Sequence, residues 1–250
     1  ARNLQLVIKE ETFLQYVLDP AGGSYFIDTL TNDLVEKAWQ LFQTIENEGG
    51  FSAYVASGAL EERIERVAEA RMDQVAHREK SLIGTNIYAN LEDELSDKAG
   101  LKEVAGRLSE PYENLRREFS RQQPNIVLLT FGQLKDFKPR ADFVSGYLSA
   151  AGLQAEISPA FATVEEGRAW IVENDFDYGV ICMPPKETEE MMDELVEQLP
   201  ENKWLDVAGK FKEDKTQAWT ESGISGFIYQ GQNQLDKFTS IKQGWEENKA

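Results

Sequence analysis

Histidine and cysteine are almost missing: the 250 residues hold one of each, His77 and Cys182. That scarcity excludes Cys/His zinc sites, haem and iron–sulfur ligation, disulfide frameworks and Cys–His nucleophile pairs, all of which need residues the chain does not have. Positive charge is also short, with 26 Lys and Arg against 44 Asp and Glu and a formal net charge of −18. Nucleic acid requires a basic face, so it is disfavoured as a partner, and anionic membrane surfaces are disfavoured for the same reason. The longest apolar run, Ile126 to Leu129 extended to Phe131, falls far short of the roughly 20 residues of a membrane span. No basic start followed by an apolar stretch marks a secretory signal. A lone cysteine inside an apolar run fits a reducing compartment and points to the cytoplasm. The chain starts Ala1-Arg2-Asn3 without a methionine, as a processed or truncated chain would.

What is present is an ordinary globular composition, 41% hydrophobic with 10% aromatics, at a length that suits one large domain or two modest ones. The pattern changes near Pro124, giving a region 1–123 and a region 124–250. In the second, short runs rich in Val, Ile, Leu and aromatics alternate with amphipathic segments: Asn125 to Phe131, Leu153 to Ile157, Tyr178 to Met183, Trp204 to Ala208 and Ile224 to Tyr229. Between them Pro139 reads as the N1 proline of a helix closed by Gly152, and Thr163 with Glu166 forms a capping box. Lys186 to Leu199 carries Met191, Met192, Leu195, Val196 and Leu199 on one stripe and stops at Pro200. A helix over Glu213 to Ser222 and another starting near Asn233 complete the set. Strands too apolar for one-sided exposure, each followed by a helix, imply an α/β fold: a doubly wound, flavodoxin-like parallel sheet of order 2-1-3-4-5.

The first region is nearly all helical in pattern. Thr31 reads as the cap of a helix carrying Leu34, Ala38, Leu41, Phe42 and Ile45 and ending at Gly49-Gly50. Further helices run from Ala59 to Arg78 and from Ser109 to Arg121, the latter with Pro111 in its first turn. These faces show little sign of closing a core of their own, so they are expected to pack on something else.

A doubly wound sheet binds ligands at the carboxyl ends of its strands, between the first and third. Here that means Gly132 to Pro139 and Pro184 to Thr188. The first loop is not glycine-rich, so it offers no phosphate cradle and disfavours FMN. The third strand ends Cys182-Met183-Pro184-Pro185 rather than in an aspartate, which disfavours a receiver domain. Cys182 reads as a buried inert thiol, since no basic neighbour in sequence lowers its pKa. His77 reads as a histidine in the last turn of a helix, and the runs Glu61-Glu62-Arg63 and Glu92-Asp93-Glu94 as solvated faces.

Several segments together resemble the methylmalonyl-CoA mutase family. Asp19 to Phe26 matches a DP-x-AGSYY-like turn, Ile45 to Gly50 an IE-x-x-GG turn, Arg63 to Arg78 an arginine-rich helix, and Gly84 to Tyr88 a GVN-x-Y-like element. Arg2 to Gln5 with Glu10-Glu11 is similar to the end of that family's substrate-binding barrel. Gly152 to Glu166 is similar to the GF-x-V-x-x-GPLF-x-TPEE stretch of its cobalamin domain. The resemblance implies adenosylcobalamin chemistry that interconverts methylmalonyl-CoA and succinyl-CoA. It also carries departures. Where the family's catalytic chains read GQDGHDRG, with the histidine as lower cobalt ligand, this chain reads Gly132-Gln133-Leu134-Lys135-Asp136-Phe137-Lys138-Pro139. The S-x-L segment that lines the cofactor's tail cavity becomes Met183-Pro184-Pro185, and the paired glycines after the fourth strand become Ala208-Gly209. The degenerate positions Gly132, Gln133, Lys135, Asp136, Phe137, Met183 and Gly209 are therefore expected to bind no cofactor, with no catalytic residue and no metal ligand in this chain. The family includes heterodimers whose smaller subunit keeps the fold without the cofactor. The resemblance thus implies a structural partner of a large catalytic subunit that carries the adenosylcobalamin. The competing expectations are a divergent isomerase that binds cobalamin without a histidine ligand, and a ligand-sensing module.

Overall fold

The computed structural model describes residues 2–93, 95, 106–200 and 203–249. Two compact units divide within a helix, the first covering Ala1–Val67 and the second Ala68–Ala250. In the first unit lie α1 (Arg2–Glu11), α2 (Tyr25–Asn47), α3 (Phe51–Ala56) and the start of α4 (Ala59–Ala76). The cap of α2 is Ser24, whose Oγ accepts from Ile27 N at 3.5 Å, and not Thr31, which lies inside the helix. The glycine turn over Gly22 and Gly23 already reverses the chain, so the helix starts as soon as a hydroxyl can satisfy its first amides. Thr31 is seven residues in, where every amide has an intrahelical acceptor. None of α2 is buried; Leu34, Trp39 and Phe42 are each at least half exposed.

The second unit contains α5 (Glu110–Arg121), then β1 (Ile126–Thr130), α6 (Leu134–Leu148), β2 (Ala155–Ile157), α7 (Val164–Glu173), β3 (Tyr178–Cys182), α8 (Thr188–Val196), β4 (Leu205–Ala208), α9 (Glu213–Glu221), β5 (Gly226–Ile228) and α10 (Gln234–Lys249). The five strands form one parallel sheet in the order β2-β1-β3-β4-β5. Successive residues of β1 serve opposite faces. Ile126 and Leu128, with Tyr178, Val180 and Cys182 of β3, join the core under α5, α6 and α10. Val127 and Leu129, with Ile181 and Val207, join the core under α7, α8 and α9. Burial on both faces explains why β1 reads as a continuous apolar run rather than an alternating one.

Most expected ends hold. Thr163 Oγ1 accepts from Glu166 N at 3.2 Å while Glu166 Oε2 accepts from Ala162 N at 2.8 Å, and Gly152 closes its turn at φ 77°. Pro139 differs from expectation. It lies inside α6, which begins five residues earlier at Leu134. The proline gives up one intrahelical hydrogen bond, but Phe137 is 5% exposed and sits in the core only if the preceding turn is already helical. Packing outweighs the local preference. Of the charged run Glu92-Asp93-Glu94 the first two residues are exposed and Glu94 lies outside the described residues.

Between α4 and α5 the chain is held by Asn86, which is fully buried. Its Oδ1 accepts from Leu82 N at 2.7 Å, and its Nδ2 donates to the carbonyls of Val75 and Lys80 at 2.8 and 2.9 Å. This clamp spans a turn in which Arg78 adopts a left-handed φ of 60°, with Tyr88 at φ 53° two residues beyond Asn86, and it gives the asparagine of the GVN-x-Y-like element a physical role. Asn86→Ala removes three hydrogen bonds to backbone groups, of which the part-buried Leu82 N–H and Lys80 carbonyl lose this side-chain partner while Val75 O keeps Tyr112 Oη and Arg78 N, and chemical denaturation is expected to show a loss of about 1–3 kcal/mol.

Candidate functional site

The switch point lies at the carboxyl ends of β1 and β3, where the strand order reverses. Gly132 follows β1 with φ 85° and donates its N–H to Phe161 O at 2.9 Å. A Cβ at this glycine would stand 2.9 Å from Pro184 Cγ, so the pyrrolidine ring that follows β3 already occupies the notch. Pro184 is buried and Met183 is wholly inaccessible. Arg140 reaches across from α6: its Nη1 donates to Met183 O at 3.0 Å and to Thr188 Oγ1 at 2.5 Å, and the Thr188 hydroxyl donates to Pro184 O at 2.6 Å. The guanidinium lies over the Phe211 ring, 5.9 Å from its centroid. Gly209, after β4, has φ 140°, and a Cβ there would come 2.7 Å from Phe211 Cζ and 3.3 Å from Arg140 Nη2. The crevice is therefore packed with the chain's own side chains.

Of the residues singled out from sequence, Gly132, Met183 and Gly209 line this packed crevice. Phe137 is buried in the core beneath α6, Gln133 and Lys135 are exposed, and Asp136 is half-buried in the first helical turn. Gln133 to Lys138 is thus largely helix, not a loop able to wrap a ligand. Arg140 was invisible as a site residue from sequence, although its position three residues after Phe137 and four before Val144 places it on the flank of the buried stripe.

Cys182 ends β3 fully buried, and burial pushes its thiol up to about 12, with the Arg140 charge acting weakly in the opposite sense. A protonated, inaccessible thiol has no nucleophilic use. The native protein is expected to resist alkylation by iodoacetamide at pH 8 and to be modified once unfolded; mass spectrometry of both states checks this. Burial also pushes the Arg140 guanidinium below its usual range. His77 lies just past the end of α4, its Nδ1 2.9 Å from Asp73 O and 3.1 Å from Asp73 Oδ1. Among the described residues no group of three or more His, Cys, Asp or Glu is arranged to hold a metal ion. No helix among them is long and apolar enough to cross a membrane.

A sequence profile described as methylmalonyl-CoA mutase matches residues 1–165. The methylmalonyl-CoA mutase small subunit of Porphyromonas gingivalis is 32% identical over 198 residues, covering 73% of this chain and 32% of that protein. A probable methylmalonyl-CoA mutase small subunit of Mycobacterium tuberculosis is 36% identical over 173 residues, covering 67% of this chain and 27% of that protein. The large subunit of the Porphyromonas gingivalis mutase is 38% identical, but over only 88 residues, 35% of this chain and 12% of its own length. The chain thus spans about a third of the length of the small subunits it matches. With the profile running through the helical region and into the first βαβ unit of the sheet, the chain belongs to the methylmalonyl-CoA mutase family.

Proposed function

We propose that this chain is part of the non-catalytic small subunit of an adenosylcobalamin-dependent methylmalonyl-CoA mutase, and that its role is to pair with and stabilise the large subunit that carries the cofactor. The packed switch-point crevice carries this reading. Cobalamin does not fit the residues present: no imidazole stands near Gly132, Pro184 fills its notch, and Phe211 and Arg140 fill the space at Gly209. No step of a radical isomerisation is assigned to any residue of this chain. Alignment to small subunits over 198 and 173 residues, against 88 for a large subunit, supports the same assignment.

The helical unit supports association. Leu34, Trp39 and Phe42 of α2 remain exposed at 59%, 58% and 50%, more apolar surface on one helix than an isolated chain ordinarily leaves to water. The lone buried Cys182 is in keeping with a cytoplasmic site of action. Co-purification of the full-length polypeptide with the large subunit, followed by cobalamin quantification, tests the proposal. One cofactor per heterodimer and none on the small subunit alone is expected; two per heterodimer, or mutase activity of the small subunit without its partner, contradicts it.

A further inference from the structure

A groove of about 760 Å³ runs along one edge of the sheet, between α9 and β5, on the face opposite α6 and α10. Phe211, Phe227 and Tyr229 give it an aromatic floor, and Thr216 and Thr220 line it from α9. The Phe227 ring lies 6.0 Å from that of Phe211 and 6.4 Å from that of the buried Trp219, so the floor is anchored on the core beneath it. Glu213 and Glu221, at the two ends of α9, also line the groove. At 1.5 Å per helical residue they stand about 12 Å apart, the span of about four residues of extended chain.

β5 ends the sheet and pairs with β4 alone, so its outer edge faces no strand. Sheet edges are ordinarily guarded by charged side chains or proline, which discourage pairing with another chain. The opposite edge follows that rule: β2 carries the exposed Glu156, and the exposed Pro159 comes soon after it. The β5 edge does not. In a chain that is 28% charged, no residue from Ser222 to Leu235 is Asp, Glu, Lys, Arg or Pro. Ser225 is exposed and Gly226, Phe227 and Tyr229 are half-buried. An unguarded edge beside an aromatic groove suits an extended peptide, whose backbone pairs with the edge while alternate side chains enter the groove. Charge then selects the peptide. Among the described residues neither Glu213 nor Glu221 has a Lys or Arg partner, and the groove's one ammonium is that of Lys210, which rests 5.6 Å from the centre of the Tyr229 ring. Exposed charges steer and select a partner more than they hold it, so this acidic rim favours a segment bearing Lys or Arg.

We propose that the free edge of β5 and the groove between it and α9 form a docking surface for an extended, Lys- or Arg-bearing segment of another protein, which adds a further strand to the sheet. Apolar side chains of that segment rest on Phe211 and Phe227, and its basic side chains meet Glu213 and Glu221 at the ends of the groove. The inference goes beyond the subunit assignment and does not depend on it, because the test involves neither the large subunit nor cobalamin.

Panning a phage library of random peptides of about seven residues, long enough to overrun the groove, against the 250-residue protein reads the proposal directly. Enriched peptides are expected to carry apolar residues at every second position with Lys or Arg among the others, and the best of them, synthesised, to bind with a Kd below about 100 μM. A strand offers only alternate amides to its neighbour, so methylating one alternate set of peptide nitrogens is expected to weaken binding about tenfold or more while methylating the other set leaves it intact. Thr220→Arg, at an exposed position of α9, is expected to leave thermal unfolding unchanged and weaken the peptide about tenfold or more by filling the groove. The double reversal Glu213→Lys/Glu221→Lys is expected to weaken it about threefold or more and to abolish its sensitivity to salt. Failure to enrich any peptide overturns the proposal, as do enrichment of acidic peptides, two methylation patterns that behave alike, or binding that Thr220→Arg leaves unchanged.

Discussion

Replacing Lys237 by methionine is expected to lower the unfolding free energy by about 3–5 kcal/mol. Lys237 of α10 forms an ion pair with Asp206 of β4; Asp206 is fully buried and Lys237 only 9% exposed. The Tyr178 hydroxyl donates to Asp206 Oδ2 at 2.6 Å, and burial together with the Asp206 charge pushes the tyrosine well above its usual range, so it remains a donor. Asp206 Oδ1 is buried with no hydrogen-bond partner, and among the described residues Lys237 is the one cation paired with this carboxylate to offset its desolvation. Removing the lysine leaves a charge in the core with one hydroxyl for company. The double variant Asp206→Val/Lys237→Met removes both charges and is expected to recover part of the loss, the remainder being the buried Tyr178 hydroxyl left without its acceptor. Urea midpoints of the two variants against the parent separate a paired role from a merely steric one. Gly226 belongs to the same arrangement: a Cβ there would come 3.0 Å from Lys237 Nζ and 3.2 Å from Asp206 Oδ1, so this edge strand makes room for the pair by lacking a side chain.

Trp219→Ala is expected to cost a similar amount, about 3–5 kcal/mol, through the cavity left by the largest fully buried side chain of the second unit. Trp219 is 1% exposed, meets Phe211 edge-on with centroids 4.9 Å apart, and donates Nε1 to Asp193 Oδ1 at 2.8 Å. Trp219→Phe keeps much of the volume and loses the N–H, so about 1–2 kcal/mol is expected. The contact has a functional side. Phe211 is the ring on which Arg140 rests, so loosening Trp219 frees both side chains that occupy the space at Gly209. Asp193 is also bonded by Lys215, which lowers its pKa. A depressed folded-state pKa contributes stability above the carboxylate's unfolded value and loses it as pH falls through the folded one. Because Asp193 is half exposed, solvent screens the pair and the acid-side loss is expected to be small beside that of Trp219→Ala.

The sheet was legible because its inner strands are buried on both faces: β1 and β3 present five consecutive buried residues each, and no surface strand can do that. The capping pair Thr163 and Glu166 was legible because it is a local rule obeyed locally. Pro139 misled for a physical reason. Its preference for a first turn is worth less than the burial of Phe137, which lies two residues before it. Thr31 misled because three hydroxyls, Ser24, Thr29 and Thr31, precede the same apolar stripe, and only the end of the glycine turn decides which one caps it. At the site the missing histidine could be read directly. The filling of the crevice could not, because Pro184, Arg140 and Phe211 lie on three different loops and helices and meet only through the sheet. An arginine in a charged helix reads as solvated until a carbonyl such as Met183 O is found across from it.

Anaerobic titration of this protein with adenosylcobalamin tests the central claim most directly. With the Gly132 notch held by Pro184 and the Gly209 space held by Phe211 and Arg140, no spectral change and no bound cofactor after gel filtration are expected at about millimolar cofactor, where any site with a Kd in the micromolar range is filled. A stoichiometric isotherm at micromolar cofactor would contradict the account and make the chain a cobalamin-binding isomerase domain instead.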